Sequence, residues 1–420
     1  ITHRVSLVGD DKPSNSMSYK IYVASKNANV AFGEDVLVTA NRGGFNISGS
    51  PSSATGILLA ISSETQLTDV TPSNIKLYDG VTSYDFRDTS ISFNFENSNR
   101  DSYFVYYALA NANGEVTSQI YEAKINKIDI DTTEKFITMS KGLKIGEEEP
   151  SQTIYALTCD LDFSGVNINM GSEGFKGVFN GLGHTLANLT TTGNGIIGKV
   201  SGGTIMNLKI DNMSITSNGE KVGFVSECLG GDFYNIAFTN VNIAGAASRM
   251  AVLIGHVGDT SGVGSDLTIS QVSIVNDKEH KVVGSTRVAG LIGYVQAYEH
   301  LIDINNCYVV TDIEAMTKGE GGGMVASWED RAGDTLIISQ CYYSGQLKTD
   351  VAPGSSRLGG MLGYHKGGTG KLTISRCISL AKFHIQGIER DVSVKNASPI
   401  LGNFSTSLNT VVSVKYCIGL

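Results

Sequence analysis

Two patterns of apolar and polar residues divide the chain. In the first, apolar and polar residues alternate in short runs joined by polar turns, as at 19–23 and 91–95. Alternation with a period of two is typical of a β-strand with one buried face. Seven or eight such strands, with no convincing helix, predict an antiparallel β-sandwich over 1–128. The Asn113-Gly114 step predicts a type I′ hairpin, because both residues tolerate a positive φ.

The second pattern is a repeat that begins at residue 151. A motif of one small residue, two apolar residues and another small residue recurs, and a second motif follows its later copies. The first motif stands at 195–198, 223–226, 252–255, 290–293, 323–326, 360–363 and 399–402. In the last four repeats the second motif ends in a cysteine, namely Cys307, Cys341, Cys377 and Cys417. Constant order with variable spacing indicates a solenoid whose core is constant and whose loops vary.

The chemistry of the repeat selects the kind of solenoid. The repeats are rich in β-branched residues and glycine, and their apolar runs are too short for paired helices. Coils stacked about 4.8 Å apart would pair every strand edge and enclose one core. The sequence therefore predicts an all-β protein. Its antiparallel sandwich is followed by a connector at 129–150 and by a right-handed parallel β-helix of roughly eight coils over 151–420.

The four repeat cysteines are expected to stack in adjacent coils. Their stacked Cα atoms would satisfy the distance window of a disulfide, but parallel Cβ directions fit its torsion poorly. We therefore expect a ladder of buried free thiols that act as small apolar fillers.

Composition narrows the class of protein. Of 420 residues, 41% are hydrophobic and 17% are charged, which excludes a disordered chain. The net charge of −9 argues against a nucleic-acid partner, and no apolar run is long enough to span a membrane. The six cysteines show no CxxC pair, so we expect no metal site, and no cofactor motif is present. The chain begins at Ile1 without a basic and apolar leader, which fits a removed targeting segment or a trimmed chain.

Two stretches carry a family resemblance. They are YALTCDLDFSG at 155–165 and FKGVFNGLGHTLANL at 175–189, and they are followed by GIIGKV and TIMNLKI. Together they resemble the GLUG-motif repeats of bacterial surface proteins, which occur in large adhesins and beside the protease domain of immunoglobulin A peptidases. The resemblance implies a secreted or cell-surface β-solenoid and no particular reaction. The HExxH metal motif of the peptidases is absent, so their activity is not carried over. The N-terminal sandwich would be immunoglobulin-like or fimbrillin-like.

One column of residues is the leading candidate for a binding surface. It lies one residue after the first motif and consists of Lys199, Glu227, His256, Tyr294, Ser327, Tyr364 and Asn403. By strand parity, His256, Tyr294 and Tyr364 are expected on an exposed strip, with the single tryptophan, Trp328, close by. Flat aromatic faces beside polar groups suit stacking on sugar rings or docking of a protein. The alternative is ordinary outward tyrosines and a tryptophan that fills the solenoid interior.

A second candidate is a pair of carboxylates. Asp160 and Asp162 lie two residues apart on one strand face, about 7 Å from each other. That separation suits the paired carboxylates of glycoside hydrolysis. The alternative is a solvated outward pair without catalytic function.

These observations favour a non-catalytic adhesion or ligand-binding protein at an extracellular or outer cell-surface location. Its expected partner is a glycan or a host or extracellular protein, bound through a solenoid face. The rival hypotheses are a polysaccharide lyase or glycoside hydrolase on a β-helix, and a structural stalk or pilus-associated component. No membrane span is expected, and any anchor would be a lipid outside this sequence.

Overall fold

The computed structural model divides the chain into two compact units. One comprises Ile1–Thr39 and Gly43–Asn126, and the other comprises Ala40–Arg42 and Lys127–Leu420. The residues that the structure describes are 29–33, 36–52, 56–86, 91–94, 102–258, 264–296, 299–352, 355–385, 397–404 and 411–420. The strand predicted at 19–23 lies outside them.

The described part of the first unit is built from antiparallel strands. Its elements are β1 (Leu37–Ala40), β2 (Gly44–Ser48), β3 (Gly56–Ser63), a 3-10 turn (Ile75–Leu77), β4 (Thr82–Phe86), β5 (Ile91–Asn94), β6 (Tyr103–Ala110) and β7 (Tyr121–Ile130). One sheet has the order β1-β2-β5, and the other has the order β4-β3-β6-β7. The rings of Phe45 and Tyr103 meet across the two sheets at 6.2 Å, and the Tyr103 hydroxyl donates to the Gly44 carbonyl at 2.8 Å.

The turn between β6 and β7 differs from the predicted type I′ hairpin. A type I′ turn needs a positive φ at both central residues, but of the Asn113-Gly114 pair only Gly114 has one, at 80°. The side chain of Asn111 decides the conformation instead. Its Oδ1 accepts from the backbone N–H groups of Asn113 and Glu115, both at 3.0 Å, and so closes a wider loop.

A short helix occupies part of the predicted connector. Helix α1 (Thr133–Ser140) begins after Thr132, whose hydroxyl accepts from the backbone N–H of Lys135 at 3.3 Å. This is an N-cap, which satisfies one of the free donors in the first helical turn. The connector ends in a 3-10 turn, Pro150–Gln152, that leads into the repeats.

Helix α1 covers the apolar end of the repeat region. Phe136 and Met139 are buried, and the Phe136 ring packs against Phe163 and Phe179 at 5.2 and 5.7 Å. Phe163 lies in coil 1, which has no preceding coil, so the helix takes the place that a neighbouring coil occupies elsewhere.

From residue 153 onward the strands follow nine successive coils. Coil 1 holds β8 (Thr153–Leu157), β9 (Leu161–Asp162) and β10 (Gly174–Phe175); coil 2 holds β11 (Val178–Asn180), β12 (Thr185–Ala187), β13 (Thr190–Thr191) and β14 (Gly195–Val200); coil 3 holds β15 (Gly203–Asp211), β16 (Ser214–Thr216) and β17 (Lys221–Cys228). Coil 4 holds β18 (Gly231–Thr239), β19 (Asn242–Ala244), β20 (Arg249–Ala251) and β21 (Ile254–Val257); coil 5 holds β22 (Leu267–Val275), β23 (Lys281–Gly284), β24 (Arg287–Ala289) and β25 (Ile292–Val295).

The remaining coils continue in the same order. Coil 6 holds β26 (Leu301–Asn305), β27 (Tyr308–Val310), β28 (Asp312–Ala315), β29 (Glu320–Gly322) and β30 (Val325–Glu329); coil 7 holds β31 (Thr335–Ser339), β32 (Tyr342–Thr349), β33 (Arg357–Gly359) and β34 (Leu362–Lys366). Coil 8 holds β35 (Lys371–Ser375), β36 (Ile378–Ile385), β37 (Ala397–Ser398) and β38 (Leu401–Phe404); coil 9 holds β39 (Val411–Lys415) and β40 (Ile418–Gly419).

Strands of successive coils pair in parallel, which makes the second unit a solenoid-like all-β structure. For example, β15 pairs with β18 and β18 pairs with β22, both over their full lengths. The inward side chains of all coils merge into one apolar cluster that runs from Ile130 to Ile385. The expectation that the repeats stack as coils with parallel strands is therefore confirmed.

Coils 3 to 9 each turn an equivalent corner through a residue in the left-handed region. These corner residues have φ between 52° and 56° and are Asn207, Asn235, Gln271, Asn306, Gln340, Arg376 and Tyr416. Asparagine tolerates this conformation better than most residues. The first corners are also linked by side chains, because the Asn235 amide donates to Asn207 Oδ1 at 2.9 Å.

The cysteine ladder predicted from the repeats is present. Residues on both sides of Cys307, Cys341, Cys377 and Cys417 pair between coils 6, 7, 8 and 9, so the four cysteines lie on adjacent coils. All six cysteines of the chain are free. Each ladder thiol donates to the carbonyl oxygen two residues earlier, at 3.1–3.4 Å. The adjacent Cys307 thiol, together with burial, raises the pKa of Cys341 well above its usual range.

Thiol accessibility provides a test of the ladder. We expect Cys159 and Cys417, which are half-buried, to react first with a thiol reagent in the native protein at pH 8. The other four should react slowly, because they are buried. For Cys228, burial also raises the pKa to about 12, which lowers the fraction of the reactive thiolate. After unfolding without a reductant, all six should titrate. A lower number would show that a disulfide is present.

A substitution tests the role of helix α1 as a cap. Phe136→Ala should lower the free energy of unfolding by about 3 kcal/mol, because it leaves a cavity against two buried rings. The measurement is urea denaturation followed by circular dichroism. Leu143→Ala, at a side chain that is 46% exposed, is the control and should change stability little. Equal effects of the two substitutions would contradict a capping role.

Candidate functional site

The column predicted from the repeat motif exists in the structure. Lys199, Glu227, His256, Tyr294, Ser327, Tyr364 and Asn403 pair one after another in coils 2 to 8. The residues that follow them form a second column, made of Val200, Cys228, Val257, Val295, Trp328, His365 and Phe404. The predicted register between repeats is therefore confirmed.

The expectation that the column forms an exposed aromatic strip is wrong. Trp328 is fully buried in the inward column, where its ring lies 4.9 Å from that of His365. The alternative interpretation, a tryptophan that fills the interior, is the correct one. Tyr294 and His256 are each only 3% exposed, and their rings stack on each other at 5.4 Å. Tyr364 is half-buried.

A neighbouring column of charged side chains explains this burial. It contains Lys221, Arg249, Arg287, Glu320 and Arg357, paired in coils 3 to 7. The Arg287 guanidinium lies 4.3 Å above the ring centre of Tyr294, and that of Arg357 lies 4.0 Å above the ring of Tyr364. These are cation–π contacts, and they cover the faces that were expected to meet a ligand.

The sequence carries a signal for this charged column that the repeat motif alone does not include. Arg249, Arg287, Glu320 and Arg357 each stand three residues before a copy of the first motif. A charged residue at a fixed offset from a repeat predicts a charged line along the solenoid, because equivalent positions stack.

Glu320 joins the two arginine–tyrosine pairs. Its carboxylate is 3% exposed and lies 2.9 Å from Arg287 Nε and 2.6 Å from Arg357 Nη1. Coils 5 and 7 thus present an arginine over a tyrosine, whereas coil 6 between them presents Glu320 beside Ser327. Both guanidinium groups therefore have a carboxylate partner within the protein.

Tyr294 is held in the same network. Its hydroxyl donates to Glu329, which also pairs with Lys366 at 2.9 Å. Burial, followed by this hydrogen bond, raises the pKa of Tyr294 well above its usual range. Although burial opposes it, the hydrogen bond from Tyr294 lowers the pKa of Glu329. A buried tyrosine with a raised pKa is poorly suited to accept a proton at neutral pH.

The two candidate carboxylates link coil 1 to coil 2. Asp160 accepts from the Thr185 backbone N–H at 2.8 Å and lies 3.2 Å from His184 Nδ1, while Asp162 accepts from the Asn188 amide at 2.8 Å. The Thr185 N–H and then His184 lower the pKa of Asp160, and the Asn188 amide lowers that of Asp162. Glycoside hydrolysis needs one carboxyl with a raised pKa as the general acid. This pair does not provide one.

A different column presents exposed aromatic and aliphatic side chains. Tyr308, Tyr342, Ile378 and Ile418 pair in coils 6 to 9, one residue after the cysteine ladder. The rings of Tyr308 and Tyr342 stack at 4.8 Å with an interplanar angle of 9°. Tyr308 is 44% exposed, Ile378 40% and Ile418 52%. We refer to these four residues as the tyrosine–isoleucine column.

The sequence contains this column as well. Cys-Tyr occurs at 307–308 and again at 341–342, in the repeats already identified by their cysteines. Residues on either side of an inward cysteine in a strand face outward, so the tyrosines could have been placed outside by parity. The exposed corner residues Asn306 and Gln340 lie on the other side of the cysteines.

The described residues contain neither a metal-binding cluster nor a membrane-spanning helix. Within those residues, no group of three or more His, Cys, Asp or Glu side chains is placed to hold a metal ion. None of their helices has the length and apolar character needed to cross a membrane.

Comparison with known proteins gives a likeness in structure. No family model matches the chain, and no curated protein matches it. A crystal structure of a candidate immunoglobulin A1 protease from Bacteroides ovatus is similar, with 18% sequence identity and a TM-score of 0.47. The alignment covers 69% of this chain and 84% of that one. Nothing about the activity of this chain follows from it.

The ion pairs of Glu320 lead to a stability prediction. Glu320→Gln should lower the free energy of unfolding by about 2 kcal/mol, because two partly buried guanidinium groups lose their carboxylate. The expected loss in free energy of unfolding is smaller than for a fully buried pair, since Arg287 and Arg357 are 21% and 35% exposed. Thermal denaturation gives the measurement, with the exposed Glu147→Gln as control. An unchanged Tm for Glu320→Gln would show that the pairs contribute little.

Proposed function

We propose that this is a non-catalytic, extracellular or cell-surface ligand-binding protein of the adhesin type. In this proposal a right-handed parallel β-helix follows an immunoglobulin-like or fimbrillin-like sandwich, and an outer face of the helix binds a glycan or an extracellular protein. The observation that carries the proposal is the tyrosine–isoleucine column, which aligns four side chains in successive coils. Tyr308, Ile378 and Ile418 are exposed, and Tyr342 is half-buried.

Contiguous apolar surface is a recognised mark of an interaction site. A stalk that only spaces other domains has no need of it, and polar outward residues would keep such a stalk soluble. Other outward positions of these coils are polar, for example Ser339 and Ser375, which pair in coils 7 and 8. Leu301 in coil 6 and several side chains of coil 9, the last coil, are also exposed and apolar. The alignment of Tyr308, Tyr342 and Ile378 in one column of adjacent coils supports recognition over a structural role.

The chemistry of the polar clusters argues against catalysis. Asp160 and Asp162 both have lowered pKa values and are bound to residues of the next coil, while Tyr294 is buried beneath arginine side chains. The resemblance of 155–215 to GLUG-motif repeats supports a surface location, since those repeats occur in bacterial surface proteins. Similar contacts repeated in successive coils suit weak recognition at several points at once.

Retention on immobilised ligands tests this function. The purified chain should be retained on at least one surface in a panel of polysaccharides and extracellular-matrix proteins, without releasing new reducing or unsaturated ends. Combined Tyr342→Ser and Ile378→Ser should reduce retention at least tenfold, because both apolar contacts are lost. Leu77→Ser, at a side chain 82% exposed in the first unit, is the matched control.

Three outcomes would separate the hypotheses. Retention that the double substitution abolishes supports the proposal, provided that circular dichroism shows an unchanged fold. Release of new ends would identify a lyase or hydrolase and contradict it. No retention on any surface would favour the structural stalk.

A further inference from the structure

We infer that the free face of Tyr308 is a stacking site for a pyranose ring of a neutral glycan. This inference rests on the function proposed above, and it assigns a ligand class and a position on the solenoid. The site is the notch beside Tyr308, formed by Ala237, Ser273 and Tyr308.

Tyr308 ends a stack of two rings. One of its faces is covered by Tyr342 of coil 7, with the ring centroids 4.8 Å apart. On the other side its neighbour in coil 5 is Ser273, which pairs with Tyr308 in the sheet. A serine side chain is too short to cover an aromatic ring, which agrees with the 44% exposure of Tyr308.

The floor of the notch extends over two coils. Ser273 pairs with Ala237 of coil 4, which is also small, and Ala237 pairs with Lys209 of coil 3. Neighbouring strands lie about 4.8 Å apart. Two successive small residues therefore leave a shelf about 10 Å long between Lys209 and Tyr308, enough for a ring stacked flat against the tyrosine.

Polar groups stand at the margin of the shelf. On one side are the corner residues Asn235 and Gln271, both exposed and both in the left-handed conformation. On the other side are Thr239 and Val275, which pair with each other and are exposed. Primary amides beside an aromatic face suit a pyranose ring, because its hydroxyls need hydrogen-bond partners and its C–H face stacks on the ring.

The strands that hold Ser273 and Tyr308 carry no charged residue, which favours a neutral ligand. The charged side chain at the other end of the shelf, Lys209, lies three strand spacings from Tyr308. The segments 267–275, LTISQVSIV, and 304–311, INNCYVVT, contain no charged residue. The chain as a whole carries a net charge of −9, which would repel an anionic glycan unless cations faced it. A protein partner fits less well, since a stable protein interface covers about 800 Å² on each side and this notch offers one ring and Val275 as its apolar surface.

Two substitutions in the notch test the inference. Tyr308→Ala removes the stacking face, and Ser273→Leu covers it while leaving the tyrosine in place. The matched control is Tyr84→Ala in the first unit, whose side chain is 40% exposed. The probes are neutral hexasaccharides of β-linked glucose, xylose, mannose or galactose, with polygalacturonate and heparin as anionic probes.

We expect the wild-type chain to bind at least one neutral hexasaccharide. Both notch variants should weaken that binding about tenfold, in line with the loss of one aromatic stacking contact, and Tyr84→Ala should not. Circular dichroism verifies the fold of each variant, and Ser273→Leu keeps the test valid if Tyr308→Ala is unstable.

The other outcomes have distinct meanings. Neutral-glycan binding that survives both notch substitutions overturns the inference. Retention confined to anionic glycans or to proteins also overturns it, and in both cases the ligand-binding function stands. A wild-type chain that binds no glycan and no protein overturns both the inference and the proposed function.

Discussion

Parallel pairing between successive coils is the interaction on which the second unit depends. One coil cannot bury its own inner face, so each relies on the next to cover its strand edges and apolar side chains. The pairing continues from coil 1 to coil 9, and the inward residues merge into one cluster between Ile130 and Ile385. At the first coil, where no neighbour precedes, helix α1 provides the cover.

The same pairing makes equivalent residues of the repeats neighbours in space. Residues of one column therefore contact each other, and these contacts must not be repulsive. The columns meet this requirement with different kinds of contact. The Asn235 amide donates to Asn207, the thiols from Cys307 onward stack on one another, and Glu320 separates two arginines that would otherwise repel. Polar chemistry on this protein is mostly satisfied along columns, which leaves few groups free to act on a ligand.

The two columns that contain tyrosines differ in whether the tyrosine rings are already covered by other side chains of the protein. Tyr294 and Tyr364 lie under guanidinium groups, and the hydroxyl of Tyr294 is bound to Glu329. Tyr308 has a ring face directed toward a serine and is almost half exposed. Residue type alone does not distinguish these tyrosines. Their neighbours in adjacent strands and coils do, and for this reason our proposal places recognition at the column after the cysteines.

The sequence by itself determined the strand character, the order of the repeats, the register of Tyr294 on His256 and the stacking of free cysteines. These follow from a period of two and from repeated motifs, which are properties of the linear chain. Only the tertiary structure decided the burial of Tyr294, the turn at Asn111 and the capping by α1. Burial and the capping by α1 depend on side chains from other elements, and the turn depends on the local hydrogen bonds of Asn111, none of which a periodic pattern records.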